Sequence, residues 1–155
     1  MGIRSGRRKD RKRLETRYAP YYLTFKPPGY WREAACCYCG NMAEDKDHIP
    51  PIRWLAALGS AYFLERGLLI VKVPSCKECN QELGGNKLFS IRERTRYLIG
   101  RYCKKYGKYL KGTPWEDWEL NELSGRLAEY INTHATLERA IDRRLAILEE
   151  NLRVR

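Results

Sequence analysis

Two Cys-x-x-Cys pairs, Cys36/Cys39 and Cys76/Cys79, stand 36 residues apart in this chain of 155. Two residues between paired cysteines let one tight turn aim both thiolates at a single ion, and two such turns complete a tetrahedral four-sulfur zinc site. Each pair has turn residues beside it: Gly40 follows Cys39, and Pro74-Ser75 leads into Cys76. Such a ligand set binds with roughly 10–16 kcal/mol in small zinc peptides, comparable to the whole stability of an ordinary domain. This region is therefore expected to fold around zinc. Two disulfides are the alternative, but the chain opens on basic sequence without an apolar leader, which predicts a reducing, cytoplasmic setting. Cys37 rivals Cys36, yet Cys37-x-Cys39 is too short for the usual turn. Cys37 and Cys103 are then left without a role.

Charge divides the chain. The formal total is +11, from 30 basic and 19 acidic residues. Residues 1–18 hold eight Lys/Arg against two acids, residues 19–86 hold seven of each, residues 87–111 hold nine against one, and residues 112–155 hold six against nine. The cysteine region is neutral and basic segments flank it on both sides. Clustered Lys/Arg binds phosphate backbones by releasing condensed counterions, so Arg7, Arg8, Lys9, Arg11, Lys12, Arg13, Arg94, Arg101, Lys105 and Lys108 are the expected nucleic-acid contacts. No run of 18 apolar residues exists, and no membrane span is expected.

Residues 1–18 read as a mobile basic arm, too charged to bury anything alone. Tyr21, Tyr22, Phe25, Tyr30 and Trp31, interrupted by Pro27-Pro28-Gly29, serve either as core or as base-stacking surface. A short hairpin over 31–43 should carry the first cysteine pair, and Asp47 to Ile49 should be extended because Pro50 follows. Leu55, Leu58 and Tyr62 share a helical spacing within residues 52–66, which Gly67 ends. Residues 68–73 (LLIVKV) predict a strand, and 76–83 a short helix stopped by Gly84-Gly85. Over 88–111, Ile91, Thr95, Leu98, Tyr102, Tyr106 and Tyr109 fall on one helical face, with Arg94, Arg101, Lys105 and Lys108 beside it. Thr113-Pro114-Trp115-Glu116 reads as a capping box opening the next helix. A break near 132–134 should precede a last helix bearing Leu137, Ile141, Leu145, Leu148 and Leu152. These terminal helices either fold back as a hairpin or pair two copies of the chain. His134 sits at the break and is treated as an ordinary polar residue.

Between the cysteine pairs lies Asp47-His48-Ile49-Pro50-Pro51, in a chain with only two histidines, and Asn80 follows Cys79 directly. The strings CCYCGNMAEDKDHIPP and VPSCKECN resemble the HNH endonuclease superfamily, the ββα-metal nucleases, in its zinc-containing branch. The order zinc knuckle, Asp-His, zinc knuckle, Asn is similar to that of phage endonucleases that resolve branched DNA junctions. The likeness covers about residues 34–83. Many members carry an Asn shortly before the second knuckle; residues 68–73 have none, and the junction endonucleases lack it too.

The resemblance implies a small ββα-metal, treble-clef-like zinc module, so the expected fold is α+β with that module over 19–86; the basic arm over 1–18 and the helical extension over 87–155, read from charge and periodicity, lie outside the likeness. It implies a metal-dependent endonuclease acting on duplex or branched DNA in a bacterial or phage-infected cell. His48 would be the general base, and Asp47 and Asn80 would hold catalytic Mg²⁺ or Mn²⁺, hard cations suited to oxygen ligands. Cys36, Cys39, Cys76 and Cys79 would hold only structural zinc. Two other classes fit the same residues: a non-catalytic zinc module that binds nucleic acid, and a protein assembly factor working through the C-terminal helices, as a homodimer or otherwise.

Overall fold

The computed structural model describes residues 3–24, 35–112 and 114–153, with the side chains of 3–9 and 11 outside the description. The chain divides into two compact units, Met1–Arg94 and Thr95–Arg155.

The first unit is mixed α+β. Helix α1 (Ile3–Tyr18) and a 3-10 turn (Ala19–Tyr21) lead into β1 (Leu23–Thr24). Further along come β2 (Asp45–Ile49), α2 (Ile52–Leu64), β3 (Val71–Ser75) and α3 (Lys77–Leu83). The segment expected as a mobile arm is thus a helix. Its charged residues have good helix propensity, and Leu14 and Tyr18, four apart, give it a half-buried edge, with Tyr18 packed on the core.

The three strands form one sheet in the order β1-β3-β2, with β1 parallel and β2 antiparallel to β3. Asp47 faces Val73 and His48 faces Lys72 across the antiparallel ladder. The expected strand at 68–73 forms at 71–75 instead. Leu68 joins the core and Leu69 turns to solvent. Proline is tolerated in β3 because β1 reaches only Val71 and Lys72, leaving Pro74 with one neighbouring strand.

The core gathers Tyr22, Leu55, Phe63 and Ile70, with Trp54, Tyr62 and Phe89 packed around them. Rings meet edge-on, Phe63 lying 5.2 Å from both Tyr62 and Phe89. Tyr22 answers the core reading of the aromatic segment, whereas Tyr21 is exposed; Phe25, Tyr30 and Trp31 lie outside the described residues, as do residues 31–34 of the expected hairpin. Helix α2 bends at Gly59, whose φ of 79° is open to glycine alone. The bend breaks the helical register, so Phe63 is buried and Leu58 is not. Because Phe89 and Arg94 both pack into it, this unit runs past the expected boundary at residue 86.

The second unit contains most of α4 (Ile91–Tyr106), α5 (Asp117–Glu122) and α6 (Gly125–Arg153). Helix α4 is shorter than the expected 88–111 at both ends. Ser90 and Glu93 form a capping box, Ser90 Oγ accepting from Glu93 N and Glu93 Oε2 accepting from Ser90 N. At the other end, a Cβ on Gly107 would lie 2.7 Å from the Cys103 carbonyl oxygen. Thr113 lies outside the described residues, and the next helix is capped three residues later, where Glu116 N donates to Glu119 Oε2. No break occurs at 132–134: α6 runs through it. Thr133 Oγ1 donates back to Glu129 O at 2.8 Å, and His134 stacks on Tyr130 at 4.4 Å and on Tyr109 at 5.6 Å. Arg139 joins α6 to α5 through Asp117 and the Trp115 carbonyl. Ala135, Ile141 and Leu148 are the buried residues of α6, while Leu137 of the expected seam is exposed. No helix among the described residues is long and apolar enough to cross a membrane.

Candidate metal centre and adjoining cleft

The first cysteine pair sits in a closed turn. Cys36 N donates to Asn41 O and Gly40 N to Cys36 O, Gly40 takes a φ of 72°, and Ala35 bridges Met42. The second pair straddles the start of α3. Cys76 is its N-cap, with Sγ accepting from Cys79 N at 3.4 Å. Cys37 N donates to the Pro74 carbonyl, which ties the first turn to the end of β3 just before Cys76.

The result is a cluster in which the sulfurs of Cys36, Cys39, Cys76 and Cys79 all lie within 4.8 Å of one another, each residue buried. Cys39 and Cys76 approach to 3.7 Å. These are the four cysteines expected from the spacing, and together they could hold a metal ion. None of the six cysteines is in a disulfide. Proton sharing among the four is uneven. Hydrogen bonds from Cys39, Cys76 and Cys79 drive the Cys36 thiol far down, whereas Cys36, Cys39 and Cys76 push Cys79 far up. Cys76 settles at about 7, raised by Cys36 and lowered by Cys39 and Cys79. Packing four acidic thiols this closely favours ionisation of some at the expense of others, and a cation that binds thiolate removes the remaining protons. Cys37, beside the cluster, is pushed up by burial, and Cys103 is exposed.

Asp47 and His48 occupy successive positions of β2 and so point to opposite faces. The His48 ring meets Tyr22 edge-on at 4.8 Å, and Tyr22 is itself fixed by a 2.6 Å bond from its hydroxyl to the Pro50 carbonyl. Asp47 is only 3% exposed. Its Oδ2 accepts from the Tyr38 hydroxyl at 2.6 Å and from Arg94 Nη1, while Arg94 Nε donates to the Leu88 carbonyl. Burial pushes the Asp47 carboxyl up, and Arg94 and Tyr38 oppose it. The residue expected to face a hard cation is therefore taken up by a buried ion pair.

Arg94 departs from expectation for the same reason. The helical pattern puts it on a solvent-facing basic stripe, but it is 1% exposed and committed to Asp47. The apolar face of α4 therefore extends one residue further than its pattern implies, and the basic edge starts beyond Arg94. Arg101, Lys105 and Lys108 are exposed, as are Lys12 and Arg13 on α1; the side chains of Arg7, Arg8, Lys9 and Arg11 lie outside the described residues. Lys108 follows the end of α4 and lies over Tyr109 at 4.6 Å.

Asn80 lies in the middle of α3, and the glycine pair leaves it there: the helix continues to Leu83 before Gly84 turns it. Asn80 Nδ2 donates to Asp45 Oδ2 on β2. A cleft of ≈ 750 Å³ opens between α1, β2 and α3, lined among others by Asp10, Asp45, Asp47, His48, Arg53 and Asn80. Asp47, His48 and Asn80, the three residues expected in the site, thus all line one cavity, Asp47 from a buried position. Sequence reasoning misses Asp45, although it lies two residues before Asp47 and so shares its strand face. Tyr38 carries no signal in the sequence, being one aromatic inside a turn.

No family model, no curated protein and no solved structure matches this chain.

Proposed function

We propose that this chain is a zinc-stapled, metal-dependent endonuclease of HNH type that hydrolyses DNA phosphodiester bonds. The observation that carries the reading is the shared cleft: the four-cysteine cluster ties the β2-β3 ladder to α3, and His48 and Asn80 line the cavity between them. Zinc suits the cluster because four sulfurs about 2.3 Å from a tetrahedral ion lie about 3.8 Å apart, close to the 3.7 Å between Cys39 and Cys76.

In this reading the His48 imidazole takes a proton from the water that attacks the scissile phosphate, a task suited to a neutral imidazole. Tyr22 holds the ring edge-on, so the imidazole keeps one orientation in the cleft. Asn80, with a carboxylate of β2, would hold Mg²⁺ or Mn²⁺, which supplies charge neutralisation at the phosphate and the leaving oxygen. Lys12, Arg13, Arg101, Lys105 and Lys108 are the exposed basic groups that would meet the DNA backbone. Pairing of two copies through the exposed Leu127, Tyr130 and Leu137 of α6 belongs to the same proposal.

A second reading, a zinc module that binds nucleic acid without cleaving it, draws on the burial of Asp47. One experiment separates the two. Purified protein incubated with plasmid and with four-way-junction DNA in Mg²⁺ or Mn²⁺ should nick the substrate, and His48→Ala should lose cleavage while retaining binding. Undiminished cleavage by His48→Ala would overturn the mechanism, and a wild type that binds without cutting would favour the module.

A further inference from the structure

We propose that Asp47 is a positioning residue and that the carboxylate which faces the catalytic cation is Asp45. This rests on the endonuclease reading and assigns the roles within its site.

Alternation along β2 puts Asp45 and Asp47 on the same side of the strand, roughly 7 Å apart along the chain, but at different depths. Asp47 is 3% exposed, and its Oδ2 already serves both Tyr38 and Arg94. A hard cation keeps several waters and takes its protein oxygens at about 2.0–2.1 Å. Seated on Asp47, it would share one carboxylate with a guanidinium that is 1% exposed. Two like unit charges 4 Å apart repel by about 4 kcal/mol even at an effective dielectric of 20.

Asp45 differs on each count. It is exposed at the mouth of the cleft, and its carboxylate touches the amide of Asn80, the residue the resemblance assigns to the cation. Its oxygens accept from Lys46 N and Asn80 Nδ2, two of the roughly four lone-pair sites a carboxylate offers. With its nitrogen turned to Asp45, the Asn80 amide leaves its oxygen as the acceptor beside that carboxylate. His48 lines the same cleft, as does Asp47 from its buried position, so the two carboxylates are separated by their exposure and their partners and not by the cavity they reach.

Asp47 has a different task. It joins three parts of the unit: Tyr38 inside the first cysteine turn, β2, and Arg94 near the start of α4. This clamp fixes the register and roll of β2, and His48 is the next residue on that strand. Asp47 thus sets where the imidazole points without meeting substrate or cation.

The test uses the zinc-loaded full chain and Mn²⁺ as the probe, with binding read by electron paramagnetic resonance, melting temperature read in parallel, and cleavage titrated against Mn²⁺. Asp45→Ala should weaken Mn²⁺ binding about 10-fold or more, leave the melting temperature nearly unchanged, and raise the Mn²⁺ concentration for half-maximal cleavage. Asp47→Asn should lower the melting temperature and the maximal rate while keeping Mn²⁺ affinity and the half-maximal Mn²⁺ concentration. If Asp47→Asn does not fold, Tyr38→Phe, which removes one bond of the clamp, should show the same pattern in milder form. Full Mn²⁺ affinity in Asp45→Ala, or its loss in Asp47→Asn or Tyr38→Phe, overturns the assignment. Mn²⁺-dependent cleavage that survives Asp45→Ala at the same Mn²⁺ demand overturns the assignment alone. A wild type that neither binds Mn²⁺ nor cleaves overturns the endonuclease reading as well.

Discussion

Arg94 donates through Nη1 to Asp47 Oδ2 across 47 residues of sequence, with both side chains nearly sealed from water at 1% and 4% exposure. Removing one partner of such a pair leaves a buried charge without compensation, which costs about 3–5 kcal/mol. Arg94→Met should therefore destabilise the zinc-loaded protein by that order in urea titrations, and Arg94→Met combined with Asp47→Leu should recover much of the loss. If Arg94 were a phosphate contact, the single variant would leave stability intact and flatten the salt dependence of DNA binding. That outcome would show the pair to be dispensable.

The Arg94 result shows where sequence reading holds and where it stops. The cysteine spacing carries the metal cluster because two-residue knuckles are a local device whose geometry is contained in the motif. The extended Asp47–Ile49 segment and the helix after Cys76 are legible for the same reason. Arg94 is not, because a helical wheel assigns a face to a residue but does not say what packs on it, and the carboxylate that draws Arg94 inward comes from a strand far away in sequence. The capping box at Ser90-Ile91-Arg92-Glu93 is visible in principle, and sets the start of α4. The continuity of α6 is not: the polar run Asn132-Thr133-His134 resembles a break until Thr133 bonds the preceding turn and His134 finds Tyr130 and Tyr109.

If the cysteine cluster holds zinc as proposed, folding of the first unit should depend on the metal. One bound zinc per chain is expected by elemental analysis. Cys36→Ser or Cys79→Ser should abolish it along with cooperative unfolding, since structural zinc contributes on the order of 10 kcal/mol or more. Cys103→Ser, at an exposed position, should bind zinc and melt like the wild type. A Cys36→Ser protein that retains stoichiometric zinc and a full transition would refute the four-cysteine assignment.

Exposed basic residues, not the neutral cysteine region, should govern affinity for DNA. Replacing Lys12, Arg13, Arg101, Lys105 and Lys108 with Gln should reduce the slope of log K against log salt by about 0.9 for each phosphate that is no longer neutralised, with melting temperature little changed. Fluorescence anisotropy across a salt series measures it. An unaltered slope in the fivefold variant would place the DNA elsewhere.

Tyr22 and Tyr38 are both held protonated beyond the usual tyrosine range, in each case chiefly by burial; Asp47 adds to this in both and Arg94 opposes it. A raised value means that the folded state keeps a proton the unfolded chain releases, so this contribution is fully present below about pH 10 and is lost as pH rises above it. Each tyrosine should contribute a slope on the order of 1 kcal/mol per pH unit in that alkaline range. Urea midpoints measured upward from about pH 8 should fall steeply past about pH 10, and the double variant Tyr22→Phe/Tyr38→Phe should fall less steeply. Equal slopes in both proteins would assign the alkaline transition to other groups.

Two glycines in helices should respond to alanine with opposite signs. Gly59 interrupts α2 with φ 79° and ψ 159°, and an added Cβ would meet nothing within 4 Å. Any penalty at Gly59 is therefore conformational, about 1–3 kcal/mol for forcing an L-residue into that region. Gly100 lies inside α4, also with open space at its Cβ position and with no positive φ. There alanine restricts the unfolded chain and fits the folded one, for a gain of about 0.5–1 kcal/mol. Thermal melts of the zinc-loaded Gly59→Ala and Gly100→Ala proteins should therefore move down and up respectively. A Gly59→Ala protein as stable as the wild type would mean that α2 runs straight through residue 59, which would turn Leu58 into the buried stripe and carry Phe63 out of it.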